Sequence, residues 1–298
     1  MTRPIALRIA LFGSGSPASV LALRALAERA VVVAVVLPAG PPSFGPRAAY
    51  RALRRRMQAR PLHAEARRQR IPCLQYHPGE GEQLIPELGR LRIDLICVAT
   101  FPYLLPAGLL AAAPCGAVGV HPSPLPRHRG PAPLFWTYFD DDANAGVSVF
   151  GLEKRADTGD VLLQETFRLA RGRLGSDLYD EIARRGAALL DQAVCEIGAG
   201  REVRVPQNES RATHEPRPLR GNWRIDFETW GCERLWHFLR GVGEGGRILT
   251  DQRGRPLAHG PARSAIASAP ERPPGTIELG AGGLVVHCRD GRVEVAPR

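Results

Sequence analysis

An α/β fold with an open, mostly parallel sheet and a smaller, mainly β domain after it is predicted by three features of the 298-residue sequence. Near-continuous apolar runs alternate with capped helical stretches over the first two hundred residues, the pattern of strands buried on both faces and joined by helices. A polar, proline-broken stretch follows at 201–223, and beyond it lie short strand candidates separated by glycine turns. Hydrophobic residues make up 44% of the chain, enough to bury a substantial core and to exclude wholesale disorder.

The first element, "IALRIALFG" (5–13), is an apolar strand, and "GSGS" turns from it into the helix "PASVLALRALAERA". Ser16 is placed to cap that helix, with Pro17 in the first turn, where a missing N–H costs nothing. "VVVAVVL" (31–37) is the second strand, so residues 5–37 form one βαβ unit. "IDLICVAT" (93–100), "GAVGVH" (116–121) and "AGVSVFGL" (145–152) supply further strands, the last expected as a parallel neighbour. "LGSDLYDEIARRGAALLDQAVCEIGAG" (174–200) is a helix ended by glycines, and "CERLWHFLRGV" (232–242) a short amphipathic one. The tail "GTIELGAGGLVVHCRDGRVEVA" (275–296) supplies the late strands. The expected division is 1–203, a linker at 204–222, and a reduced β-rich domain at 223–298.

The net charge is +10, and 39 of the 40 basic residues are arginine, Lys154 being the sole lysine. Such one-sided usage reflects codon bias as much as a nucleic-acid partner; the arginine-dense segment 47–70 is the stronger local signal for RNA. The cysteines at 73, 97, 115, 195, 232 and 288 are scattered with no C-x-x-C pair, which implies reduced thiols and no metal site. With no apolar run of about 18 residues and no cleavable leader pattern, a cytoplasmic location is expected.

"GSGSPA" (13–18) matches a loose dinucleotide fingerprint, but no acidic residue closes the second strand to hold a ribose, so a tight strand-to-helix turn is the better account. His121 ends an apolar strand, and ligands bind beyond the carboxyl ends of strands in open α/β sheets. An imidazole there can take or give a proton near neutrality. Asp157, in "EKRADTGD", follows the next strand, and a carboxylate brought to the same edge would orient the ring and favour its charged form.

In order, "HPSPLPRHRGPAPLFW", "GVSVFGLEKRADTGDVL", "GSDLYDEIARRGAALL" and "RIDFETWGCERLWHFLRG" resemble the motif series of the formyltetrahydrofolate-dependent formyltransferases. The likeness is nearest to the two-domain methionyl-tRNA formyltransferase type and runs from about residue 5 to 240. The resemblance implies a Rossmann-like formyltransferase fold, a place in one-carbon metabolism, and 10-formyltetrahydrofolate as formyl donor to a primary amine. It makes His121 the catalytic histidine and Asp157 the catalytic aspartate. It places Phe101, Tyr103, Leu104, Leu105, Glu153, Lys154, Arg155 and Ala156 around the folate. Ser123, Arg127, Arg129, Gly130, Phe135 and Trp136 fall on the acceptor side, with a cover for the helix on the sheet as the alternative place of Phe135 and Trp136, and the bond before Pro126 is expected to be cis.

One departure stands out. Where the family carries an asparagine, whose amide donates to the formyl oxygen as it gains charge, this chain has Gly119. Loss of one such donor typically costs about 100- to 1,000-fold in rate. A folate-binding or regulatory homologue without transfer, or a formyl-folate hydrolase, are therefore the alternatives to an N-formyltransferase. The segment "FLRGVGEGGRIL" lacks the family's N-P-W-P-G turn and the tail is short, which suits an amino sugar or other small amine; the arginine segment suits methionyl-tRNA. Oligomeric state is not legible in the sequence.

Overall fold

A computed structural model describes residues 7–39, 46–219, 223–243, 248–250 and 255–297, with residues 46–56 described by backbone alone. The elements run β1 (Arg8–Gly13), α1 (Pro17–Arg29), β2 (Val31–Pro38), α2 (Pro46–Arg68), β3 (Cys73–Tyr76), α3 (Ile85–Arg90), β4 (Leu95–Ala99), α4 (Ala107–Leu110), β5 (Ala117–His121), α5 (Pro133–Phe139), β6 (Asn144–Gly151), β7 (Val161–Arg168) and α6 (Gly175–Gly198). After these come α7 (Cys232–Val242), β8 (Ala262–Ala267), β9 (Ile277–Gly280), β10 (Gly283–Cys288) and β11 (Gly291–Val295).

The first seven strands form one sheet in the order β3-β2-β1-β4-β5-β6-β7. Pairings from β3 through β5 are parallel, and the strands are as apolar as burial on both faces requires: Ile9, Ala10, Leu11 and Phe12 are fully buried. Ser16 caps α1 through its side chain, which accepts from the Ser19 N–H, and Pro17 opens the helix. The glycine turn before it needs its glycine: Gly15 has φ +88, and a Cβ there would lie 2.2 Å from the Gln58 carbonyl oxygen of α2. The α2 backbone is thus packed directly on this turn. On the outer side, Glu65 of α2 accepts hydrogen bonds from Arg68, Arg24 and Gln69, and the two guanidinium groups hold its carboxyl down at about 2.

One expectation is corrected here. β6 runs antiparallel to β5, with His121 opposite Ser148 and Val118 opposite Gly151, so it does not carry the chain to the His121 edge as a parallel neighbour would. The return is made by the loop after it. Gly151 N–H donates to the Asp160 carbonyl, and Gly159 passes so close that a Cβ would lie 1.9 Å from the Gly151 oxygen.

By compactness the chain divides into two units that are not simply its halves. The first comprises residues 1–129, 146–166 and 180–214, and the second 130–145, 167–179 and 215–298. Part of the polar stretch expected as a linker therefore belongs with the first unit, bonded backbone to backbone to β7 through Val205 and Val161. In the second unit, β8, β11, β10 and β9 form an antiparallel sheet in that order. Phe135, Phe139, Trp223, Trp230 and Phe238 build an aromatic cluster there, with edge-to-face pairs such as Phe135–Phe238 at 5.6 Å. Residues 220–222 of the expected linker and 244–247 of the "FLRGVGEGGRIL" segment lie outside the described residues. No helix among the described residues is long and apolar enough to cross a membrane, and the six cysteines are free thiols.

Candidate active site

β5 ends on His121, whose imidazole is nearly buried. Its Nε2 lies 2.8 Å from the His128 carbonyl oxygen. A carbonyl can only accept, so Nε2 carries the proton in the neutral ring and Nδ1 is bare. Nδ1 faces the Asp157 carboxylate at 3.6 Å, an ion-pair distance. A proton arriving at Nδ1 therefore meets a carboxylate, while the other nitrogen keeps the ring from turning. Asp157 itself sits in the left-handed region, φ +58, which aspartate tolerates better than most residues. The strand direction could not deliver this carboxylate; the pinched loop between Gly151 and Gly159 does.

The prolines after His121 make a braced loop. Ser123 is fully buried, and its hydroxyl donates to the Arg127 carbonyl at 2.6 Å. Ser148 of β6 donates to the Ser123 carbonyl and accepts from the Leu125 N–H, and Gln164 of β7 donates to the Leu125 carbonyl. The Leu125–Pro126 bond is cis, matching the expectation. Ser123 thus braces the loop with the hydroxyl that the resemblance placed toward the acceptor.

Beyond β4, the segment 101–105 is pinned from within. Phe101 packs edge-to-face on Phe12 and Tyr76 at 5.4 and 5.2 Å, and Tyr103 stacks on Tyr76 at 5.6 Å. Tyr76 Oη donates to the Leu104 carbonyl and Tyr103 Oη to the Ala39 carbonyl. Leu105 is buried, whereas Leu104 is 67% exposed. Leu152, at the start of the returning loop, packs against the same hydrophobic cluster as Phe101 and Tyr103. Glu153, Lys154, Arg155 and Ala156 are all exposed.

Gly119 lies two residues before His121 on the same face of β5. A Cβ there would be 2.8 Å from Leu152 Cδ2 and 3.4 Å from Phe150 Cε1, so an apolar side chain fills the space next to it. Position 119 is legible from its spacing to His121; Leu152 is not, because nothing local ties it to β5.

The remaining expected residues are dispersed. Arg129 is 1% exposed, and all its N–H groups face protein partners: Nε and Nη2 donate to Gln207 Oε1, Nη1 and Nη2 to the Glu209 carboxylate, and Nη1 also meets His214 Nε2. That saturation is that of a structural cation, not of one facing a small molecule. Gly130, Phe135 and Trp136 belong to the second unit, where Trp136 is buried and its Nε1 donates to the Pro216 carbonyl. Phe135 and Trp136 pack on each other and on Phe139 as part of that unit's aromatic cluster. The residues that sequence reasoning missed are Gln207, Glu209, Thr213 and His214, all inside the polar stretch taken for a linker; only its uneven polarity marked it.

Comparison with known proteins gives the family. A family profile described as formyl transferase matches residues 7–194. A methionyl-tRNA formyltransferase from Anaeromyxobacter sp. (strain K) is 33% identical over 98% of this chain and 91% of its own length. One from Halalkalibacterium halodurans is 30% identical, over 77% of this chain and 72% of the relative. Among solved structures, the N-formyltransferase from Helicobacter canadensis, in complex with folinic acid and dTDP-3-aminofucose, superposes with a TM-score of 0.69 at 15% identity, covering 98% of this chain and 99% of that one. With the profile spanning more than half of the sequence and both His121 and Asp157 inside that span, the chain belongs to the formyl transferase family, whose chemistry is formyl transfer from a formyl-folate to an amine.

Proposed function

We propose that this chain takes its formyl group from 10-formyltetrahydrofolate and passes it to a primary amine, with His121 as the general base and Asp157 as the carboxylate that holds the resulting imidazolium. The observation that carries this reading is the His121 ring itself, anchored through Nε2 and open through Nδ1 toward Asp157. Bound formyl-folate supplies an electrophilic formyl carbon. As the amine attacks it, the proton released from nitrogen goes to Nδ1 of His121; the bond from the formyl carbon to N10 then breaks, N10 takes that proton and tetrahydrofolate leaves, and general acid–base assistance of this kind contributes about 100- to 10,000-fold. The residues present suit a flat ring with polar edges, its faces against apolar side chains and its edge toward backbone groups: segment 101–105 is fixed by the Tyr76 and Tyr103 hydroxyls with Leu104 exposed, and Leu152 packs on the same cluster. Phe101, Tyr103, Leu104 and Leu105 would form one wall, and Glu153, Lys154, Arg155 and Ala156 the exposed loop that covers it.

Methionyl-tRNA is the acceptor we favour, because a relative of that name aligns along 98% of this chain. The fold shared with an N-formyltransferase solved with an amino sugar nucleotide keeps a small amine as the next candidate. Leu152 beside Gly119 favours a second reading, a homologue that binds formyl-folate without transferring it, since an apolar group adjoins the place where an amide would meet the developing charge. Calorimetric titration with a hydrolytically stable formyl-folate analogue, on wild type and Asp157→Ala, followed by transfer assays with methionyl-tRNA, separates these. Binding weakened by the substitution, together with transfer, supports the enzyme; binding with no transfer to any amine supports the second reading; no binding by the wild type removes both.

A further inference from the structure

The segment 205–214 bonds directly to Asp157 and reaches His121 through His128. Thr213 Oγ1 accepts from the His128 N–H at 2.7 Å, and the His128 carbonyl is the group that anchors His121 Nε2. Thr213 N–H in turn donates to the Pro126 carbonyl, and its own carbonyl accepts from the Arg129 N–H. At the other end, Gln207 Nε2 donates to two carbonyls that bracket the carboxylate-bearing turn, Asp157 at 2.9 Å and Gly159 at 2.7 Å. The orientation of that amide is dictated by its neighbours: carbonyls only accept, so the NH2 faces them, and the oxygen faces Arg129, which only donates. Arg129 is itself locked by Glu209 and His214.

We propose that Gln207, anchored by buried Arg129, is a positioning residue that holds the Asp157 turn against His121. Asp157 occupies a left-handed backbone conformation at φ +58, which persists when the surroundings enforce it. The two carbonyl bonds from one side chain are that enforcement, and the strap from 205 to 214 ties the same support to the His121 anchor. The inference rests on the assignment of His121 and Asp157 as the acid–base pair.

Lys154 makes the loop directly observable, because it is the only lysine in the chain and is exposed on the loop that Gln207 holds. A lysine-specific protease therefore cuts the protein only there, and Lys154→Arg provides the uncut control. Two substitutions divide the roles of Gln207. Gln207→Leu removes both its donors and its acceptor, whereas Gln207→Glu keeps an acceptor for Arg129 and loses only the donors to Asp157 and Gly159. We expect cleavage at Lys154 to accelerate at least about tenfold in both variants, with the Gln207→Glu melting temperature near that of wild type. With the acceptor that supports transfer in the wild type, kcat falls about 100-fold and KM for formyl-folate changes much less, the size of effect that an ångström of misplacement produces. Wild-type cleavage and kcat in Gln207→Glu would overturn the proposal, since anchoring Arg129 would then suffice. Asp157→Asn, assayed alongside, keeps the two ideas apart: unchanged kcat there removes the acid–base assignment, whereas a large loss there beside a normal Gln207→Glu removes only the positioning role.

Discussion

At the scale of single residues, the site turns on what stands around position 119. A side chain there must displace Leu152, whose Cδ2 would lie 2.8 Å from the new Cβ, and must pass Phe150 at 3.4 Å. Gly119→Asn alone should therefore cost about 1–3 kcal/mol, the usual range for overpacking, and thermal melting will read it. Gly119→Asn with Leu152→Ala should recover most of that loss and, by returning one donor to the developing charge, raise formyl transfer by about 100-fold. A double variant that folds well and transfers no faster would show that no amide is wanted at that place. The glycine could be noticed from its distance along β5 to His121, and Asp157 from its Asp-Thr-Gly turn. Neither the leucine nor the left-handed backbone of Asp157 could be, because both depend on how a loop folds back onto a strand it does not adjoin in sequence.

At the scale of elements, α5 and α2 carry the clearest tests. Trp136 of α5 is 8% exposed and its indole N–H is bonded, so it behaves as core of the second unit. Trp136→Ala should destabilise the protein by about 3–5 kcal/mol, visible as a lower denaturant midpoint, rather than raise KM for an acceptor in an otherwise stable protein. Glu65 of α2 has its carboxyl held at about 2, chiefly by Arg68 and then Arg24, against an ordinary 4.5. Because the folded value is the lower one, this contribution to stability is complete above about pH 4.5 and is lost as the pH falls toward 2. Glu65→Gln should therefore flatten the acid limb of the stability curve between those values, measured by urea unfolding at a series of pH. Burial on both faces made β1, β2 and β4 plain in the sequence, and Ser16 with Pro17 marked the start of α1. The antiparallel course of β6 was hidden, since alternation along a strand says which faces are buried and nothing of the partner's direction.

For the whole molecule, pH acts on the second unit through His237. This histidine is fully buried, its Nδ1 accepts from the Gly172 N–H at 2.9 Å, and its Nε2 has no partner among the described residues. Burial, reinforced by the nearby Arg171, lowers it to about 4 from an ordinary 6.5. The unfolded chain then binds the proton more readily, so stability is full above about pH 6.5 and declines as the pH drops toward 4, at a slope no steeper than ~1.4 kcal/mol per pH unit. Calorimetric melting across that range should show the decline in wild type and a weaker one in His237→Gln; equal slopes would discount the histidine. The sequence by itself determined the open α/β sheet, the placing of His121 at a strand end and the Asp157 turn, because apolar periodicity, capping and turn chemistry are written in neighbouring residues, and the family through the likeness of its motif series. Only the tertiary structure decided that β6 turns back, that Phe135 and Trp136 build a core, and that Gln207 bonds both Arg129 and the Asp157 turn. Those contacts join residues 78 and 50 positions apart, through hydrogen bonds that leave no periodic trace in either segment.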